Sequence, residues 1–141
     1  MPDTYIACAM SALPRAEYES FRETVLAVCD AVGSTGRKPY SEPFENLETE
    51  FDNPADAMKK NFQVLDQVTL FVLLYTTKEA TSALIELGYA MKRAIPILVF
   101  AKEGIKLPFY LRQTDFPSNQ IRVIRFSEET GLPQLVAENL R

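Results

Sequence analysis

Histidine is absent from this chain of 141 residues. Its absence excludes Ser-His-Asp and Cys-His catalytic groups, and it removes imidazole as an acid or a base. The two cysteines, Cys8 and Cys29, cannot complete a standard zinc site without histidine. We therefore expect no metal site and two reduced, buried thiols. Any catalysis must depend on carboxylates, hydroxyls, amines or thiols.

Glycine is scarce, with five residues in the chain, and tryptophan is absent. The sequence contains neither G-x-G-x-x-G, the phosphate-binding turn of Rossmann domains, nor the P-loop pattern G-x-x-x-x-G-K-[ST]. We therefore expect no standard dinucleotide site, no P-loop and no bound cofactor.

Charge and hydropathy exclude further classes of protein. The formal charge is -4, with 24% charged and 47% hydrophobic residues, which gives no indication of binding to nucleic acids or bulk membranes. No apolar run reaches the length of a membrane span, and the N-terminus lacks the basic and apolar segments of a signal peptide. We expect a single cytoplasmic domain over residues 1–141, large enough for a substantial core.

The segment from Leu65 to Glu103 organises the chain. Thr69–Tyr75 and Ile95–Phe100 are short apolar runs, typical of strands that are buried on both faces. Between them, Thr81–Arg93 has a helical apolar period, made by Leu84, Leu87, Gly88, Met91 and Ala94. A strand, a helix and a strand with short connections predict a βαβ unit with parallel strands and a right-handed crossover.

The flanking patterns extend this unit into a larger sheet. We predict further strands at Thr4–Ala9, at Lys38–Ser41 and, near an edge of the sheet, at Gln120–Phe126. We predict amphipathic helices from Pro14 to Gly33, from Pro54 to Leu65 with Asn53 as its cap, and from Glu128 to Arg141. The fold class is therefore α/β: a three-layer α/β/α sandwich, flavodoxin-like or Rossmann-like, of about five parallel strands.

Asn61 lies along the apolar stripe of the helix at 54–65, which we predict to consist of Met58, Phe62 and Leu65. A buried amide needs hydrogen-bond partners. Two interpretations stay open. The amide is either satisfied within the core or directed into a ligand pocket.

Glu86 is the candidate for chemistry. In parallel sheets, ligands bind beyond the carboxyl ends of the strands, and the turn T-T-K-E-A-T-S at 76–82 leads from such an end into the helix of Glu86. Glu86 lies away from the predicted apolar stripe, so a solvated surface glutamate is one interpretation. No cation stands three or four residues away as a surface partner, which favours the functional interpretation.

Several other residues carry two interpretations each. Thr81 and Ser82 are typical helix caps, and their hydroxyls can also hold a phosphate or sugar oxygen. Tyr5 is either a core residue or a catalytic one, and its hydroxyl needs a hydrogen-bond partner if it is buried. Cys8, near the end of the first strand, is most simply an inert thiol. Arg112, in the segment L-P-F-Y-L-R that we predict to be a short helix or a lid, is either a surface pair or an anion contact.

The order of these features resembles the nucleoside 2-deoxyribosyltransferase family. That family has a hydroxyl-rich turn, a helix with E-[LI]-G-x-A and then an apolar strand, similar to T-S-A-L-I-E-L-G-Y-A-M-K-R-A-I-P-I-L-V-F here. The opening Y-I-A-C-A-M-S is similar to its first strand and turn, Y-[IF]-A-G-x-M. The match covers nearly the whole chain, and E-L-G-Y-A is its most specific part.

The resemblance implies a role for Glu86 as nucleophile and for Tyr5 as the residue that orients it. Such a glutamate attacks the anomeric carbon of an N-glycoside, and a second base or water resolves the glycosyl ester. The substrate implied is a small nucleoside or nucleotide, with contacts at Cys8, Met10, Asn61, Thr81 and Ser82. By the same resemblance we expect a homodimer or a higher homo-oligomer.

The chain departs from the family at several positions. Asn61 stands in place of an aspartate, and Thr69 replaces the aspartate that usually precedes the central strand. Cys8 and Ser82 replace glycines. Because an amide cannot shuttle a proton, Asn61 favours a leaving group that needs little protonation, a changed specificity or a relative that only binds.

Two alternatives to this enzyme stay open. One is an NAD-cleaving domain that resembles the Toll/interleukin-receptor type, which also uses a helix glutamate, although the chain lacks the pattern S-x-W-C-x-x-E. The other is a catalytically silent nucleotide-binding or signalling module.

Overall fold

The computed structural model describes residues 1–8, 15–41, 54–77, 80–112 and 120–141. In these ranges the strands are β1 (Thr4–Cys8), β2 (Pro39–Tyr40), β3 (Leu70–Tyr75), β4 (Ile97–Lys102) and β5 (Ile121–Phe126). The helices are α1 (Arg15–Ser34), α2 (Pro54–Leu65), α3 (Thr81–Arg93) and α4 (Leu132–Leu140), with short 3-10 turns at Phe109–Leu111 and Glu129–Gly131. The predicted caps and starts at Asn53 and Pro14 lie outside the described residues.

The strands form one five-stranded sheet in the order β2-β1-β3-β4-β5, and every pair is parallel. One face packs against α2 and α3 through residues such as Leu65 and Leu87, and the other packs against α1 and α4 through residues such as Val25 and Val136. The predicted three-layer sandwich is confirmed, and β5 is an edge strand as expected. None of the helices in the described ranges combines the length and apolar character that crossing a membrane requires.

The chain order reverses between β1 and β3. The connection from β1 leads outward to β2, and the next connection returns past β1 to β3. In open parallel sheets, ligands bind at such a switch point, beyond the carboxyl ends of the strands. The residues of β1, β2 and β3 that face α2 and α3 are therefore the first place to look for a site.

The predicted apolar stripe of α2 was wrong at its first residue. Met58 is 56% exposed, and the buried residues of this helix are Asn61, Val64 and Leu65. The buried face is rotated toward Asn61 because its amide has hydrogen-bond partners inside the protein. The prediction that Asn61 lies along the buried face of this helix is confirmed.

The predicted stripe of α3 was also rotated. Its buried residues are Ala83, Leu87 and Ala90, whereas Gly88 is exposed. Ala94 is exposed as well, since it has left the helix with a positive φ of 59°. The two alanines have short side chains, which allow the helix backbone to lie close to the sheet. This orientation brings the side of the helix that carries Glu86 toward the sheet.

Candidate active site

Glu86 lies on the second turn of α3, at the margin of its buried face. It is three residues from Ala83 and four from Ala90, both of which are buried against the sheet. Its side chain is half-buried. The interpretation of Glu86 as a fully solvated surface residue was wrong, because the helix is rotated relative to the predicted stripe.

Tyr5 contacts Glu86 from the sheet. The Tyr5 side chain is 1% exposed, and its ring stacks on Phe71 of β3 with centroids 5.6 Å apart and planes at 4°. Its hydroxyl donates a hydrogen bond of 2.5 Å to Glu86 Oε2. The structure thus brings together the two residues for which the family resemblance implies a joint role, and it places the phenol on a strand of the sheet.

Asn61 contacts the same carboxylate oxygen from α2. Its Nδ2 donates to Glu86 Oε2 at 3.2 Å, and its Oδ1 accepts a hydrogen bond of 2.8 Å from the Tyr40 hydroxyl. The side chain is 5% exposed. The first interpretation is confirmed, because the amide has hydrogen-bond partners within the protein, one of which is Glu86. Its direction into a ligand pocket stays a prediction.

Tyr40 is the residue that sequence reasoning missed. It is the last residue of β2, it is buried, and its ring centroid lies 5.4 Å from that of Tyr5. It stands in the polar stretch R-K-P-Y-S-E, which predicts only a weak strand. The available signal was an isolated aromatic residue between charged and polar neighbours, beside a strand that already carried a candidate tyrosine.

Both groups that donate to Glu86 are neutral. Two hydrogen bonds from neutral donors converge on Oε2, and hydrogen bonds to a charged acceptor are stronger than those between neutral groups.

A third phenol, that of Tyr75 at the end of β3, lies in the same apolar cluster as Tyr5. Burial raises the pKa of Tyr75 from its ordinary value of 10.0, so this group stays neutral at physiological pH.

Thr81 and Ser82 lie at the start of α3, beyond the carboxyl end of β3, and both are exposed. The expectation that they cap the helix was wrong. Thr81 is already the first helical residue, and the N-cap position is occupied by Ala80, whose methyl group cannot accept a cap hydrogen bond. The two hydroxyls thus stand beside the first N–H groups of a helix, a position that favours an anion.

Cys8 and Thr69 lie away from Glu86. The Cys8 side chain packs with the cluster on the α1 and α4 face, on the other side of the sheet from Glu86. It is half-buried, whereas Cys29 is buried, and the two thiols are not joined in a disulfide. The Thr69 hydroxyl donates to the Asp3 carbonyl at 3.3 Å, just before the amino ends of β1 and β3. Met10 lies outside the described residues.

The segment L-P-F-Y-L-R forms a short 3-10 turn on the α2 and α3 side of the sheet. Leu107 and Leu111 are buried in the cluster that contains Tyr5, and Phe109 and Tyr110 are exposed. Arg112 is exposed, and its Nε donates to the Leu107 carbonyl at 2.8 Å. This arginine therefore holds the turn together, an arrangement that was not among its two interpretations.

A second place where a ligand could bind lies at the end of β5. A depression of about 300 Å³ at the end of β5 is lined by Phe126, Ser127, Glu128, Gly131, Leu135 and Glu138. Its charged groups are carboxylates, which disfavour an anionic nucleotide. Within the described ranges, no three Cys, Asp or Glu side chains lie close enough together to hold a metal ion.

Comparisons with known proteins support the fold. No protein-family model matches the chain, and no curated protein sequence matches it. Among solved structures it is similar to a CMP N-glycosidase of Clostridium botulinum, BcmB, with a TM-score of 0.72 and 14% identity over 97% of this chain and 98% of that one. It is also similar to BlsM, with a TM-score of 0.75 and 13% identity over 96% of this chain and 86% of the other. At these identities the likeness establishes a shared fold.

Proposed function

We propose that this protein cleaves or transfers the N-glycosidic bond of a nucleoside or nucleotide, with Glu86 as its nucleophile. The observation that carries the proposal is the convergence of the Tyr5 hydroxyl and the Asn61 amide on Glu86 Oε2. A half-buried carboxylate with two donors, at the switch point of a parallel sheet, is suited to form an ester with a sugar. Chemistry of this kind does not require histidine.

The reaction has two displacements at the anomeric carbon. A Glu86 carboxylate oxygen forms a bond to this carbon while the C–N bond breaks, and the electron pair of that bond leaves with the base. Water or a nitrogen of a second base then attacks the same carbon while the ester C–O bond breaks, and its electron pair returns to the carboxylate. The proton that the attacking group loses passes to solvent, from which the departed base, if anionic, takes one. Two inversions give net retention of configuration, as in retaining glycosidases. Tyr5 holds the carboxylate in a fixed orientation during both steps.

A nucleoside monophosphate is the first substrate to test. The similar structure from Clostridium botulinum is a CMP N-glycosidase. In this chain, the exposed hydroxyls of Thr81 and Ser82 stand at the start of α3, where a phosphate interacts favourably with helix N–H groups. The deoxyribosyltransferase resemblance adds deoxynucleosides and a second base as the acceptor.

Asn61 favours substrates whose base leaves without a proton from the protein. Its amide donates to Glu86 but has no titratable proton to give to a leaving group. A cationic base such as nicotinamide leaves readily without protonation. This contact is therefore a specific reason to include NAD among the substrates, and cleavage of NAD is the second candidate function.

The exposed apolar residues support self-association. Met58 and Ile85 lie on α2 and α3, and Phe109 and Tyr110 lie on the turn that packs in the same layer. We expect this layer to contact a second copy of the chain in a homodimer or a higher oligomer. Light scattering should report more than one chain, and replacing Phe109 and Tyr110 by serine should lower the measured mass.

A chromatographic assay for released base tests the proposed function. The protein is incubated with separate pools of nucleosides, deoxynucleosides, nucleoside monophosphates and NAD, with and without an added acceptor base. We expect free base from one pool, and the consumed substrate then identifies the class. If no pool yields base while a nucleotide still raises the melting temperature, the chain is a binding module and the proposal fails.

A further inference from the structure

Tyr40 completes a chain of hydrogen bonds that ends on Glu86. Its hydroxyl donates to Asn61 Oδ1 at 2.8 Å, and Asn61 Nδ2 donates to Glu86 Oε2 at 3.2 Å. Tyr40 is 1% exposed and Asn61 is 5% exposed, so water has little access to either contact. The three residues come from β2, α2 and α3, and the chain therefore links three separate elements.

An asparagine amide has an acceptor end and a donor end of nearly the same shape, and its partners decide which end faces which group. If the amide were flipped, Oδ1 would face the carboxylate, and two acceptors would repel each other. When a phenol donates to Oδ1, the amide is held in the orientation in which Nδ2 donates to the carboxylate. Phenylalanine at this position would leave Oδ1 buried and without that donor.

We propose that Tyr40 is a positioning residue, which acts through Asn61 to hold the Glu86 carboxylate in its reactive orientation. The inference rests on the proposed function of Glu86. Tyr40 also contacts the ring of Tyr5, the other donor to Oε2, with centroids 5.4 Å apart. It therefore supports both groups that fix the carboxylate.

The consequence for catalysis is a selective loss of rate. Small displacements of a reacting group reduce the rate strongly, whereas binding of the remainder of the substrate does not depend on them. Removing the Tyr40 hydroxyl should therefore lower kcat more than it raises KM.

Tyr40→Phe tests this, since it removes one oxygen and keeps the ring. We expect kcat for base release to fall about 10-fold, with KM changed by less than about 3-fold. Tyr89→Phe is the matched control, because it removes a phenol hydrogen bond from the outer side of the helix that carries Glu86. In an Asn61→Leu background, Tyr40→Phe should have little further effect on kcat. If Tyr40→Phe lowers kcat equally in the wild type and in Asn61→Leu, Tyr40 does not act through Asn61 and the proposal is overturned.

A second measurement does not depend on activity. The side-chain amide signal of Asn61 is identified in a nitrogen–proton correlation spectrum by its loss in Asn61→Leu. In Tyr40→Phe we expect this signal to shift and its protons to exchange faster, and an unchanged signal would overturn the proposal. If the wild type releases no base, the proposed function fails, and the spectrum still decides whether Tyr40 holds the amide toward Glu86.

Discussion

The Tyr5 hydroxyl donates a hydrogen bond of 2.5 Å to Glu86 Oε2, although the two residues lie 81 positions apart in the chain. Tyr5 is fixed on β1 by stacking on Phe71, so the sheet sets the position of the carboxylate on α3. The contact is both a link between two elements and the main geometric feature of the proposed site.

Tyr5→Phe should lower the rate of base release without unfolding the protein. A hydrogen bond to a charged group contributes about 1.5–3 kcal/mol, which corresponds to a loss of about 10-fold to 150-fold in kcat if it is needed in the transition state. The ring and its stacking on Phe71 are retained. Steady-state kinetics and a melting curve measure the two effects, and an unchanged kcat would remove Tyr5 from the mechanism.

Asn61→Asp should make stability depend on pH. The new carboxylate would face Glu86, and two close carboxylates keep one proton to a higher pH than a lone carboxyl does. A pKa that is raised in the folded state gives stability at low pH that is lost as the pH rises. Relative to the wild type, the variant should lose stability in urea unfolding as the pH rises above about 4, the ordinary pKa of a carboxyl group. A constant difference across this range would contradict the close approach of the two side chains.

Tyr89 should make the protein sensitive to alkaline pH. Its hydroxyl donates to Asp66 Oδ1, and this hydrogen bond, assisted by burial, raises the pKa of Tyr89 from its ordinary value of 10.0. The stabilising contribution is therefore complete below that value and is lost as the pH rises through the higher folded pKa. Melting temperatures above about pH 10 should fall more steeply for the wild type than for Tyr89→Phe. Tyr110→Phe, which changes an exposed phenol, should follow the wild type.

Arg93 should stabilise the fold without contributing to activity. Its Nη1 donates to the carbonyl oxygens of Leu65 and Val68, each at 2.7 Å, at the end of α2. Because Arg93 is exposed, we expect Arg93→Met to cost about 1–2 kcal/mol in the free energy of unfolding, below the full value of two charged hydrogen bonds. Lys92→Met is the control for loss of charge, and neither variant should change kcat.

The fold was predictable because its central strands carry a strong signal. All six residues of β3 are buried, and the sequence there is one continuous apolar run. The helix between β3 and β4 was predicted with the bounds that it has in the structure. By contrast, β2 has two residues in a polar segment, so its sequence contains little pattern.

The contacts of the site were less predictable than its main residues. Hydrophobic periodicity predicts that Leu84 and Met91 face the sheet. In the structure Ala83 and Ala90 are the buried residues, because small side chains permit close packing. That difference in rotation determines whether Glu86 faces solvent or Tyr5. Strand register decides which face of β1 Cys8 occupies. The contact between Tyr40 and Asn61 depends on long-range packing. Neither is encoded locally in a single sequence.

The most direct test of the proposed role of Glu86 compares base release by the wild type and by Glu86→Gln, under identical conditions and with the substrate that the pooled assay identifies. Glutamine keeps the shape of the side chain but cannot form the glycosyl ester. We predict that the variant keeps the melting temperature of the wild type within a few degrees and loses at least about 1,000-fold in kcat. A folded Glu86→Gln variant that releases base at the wild-type rate would contradict the assignment of Glu86 as the nucleophile.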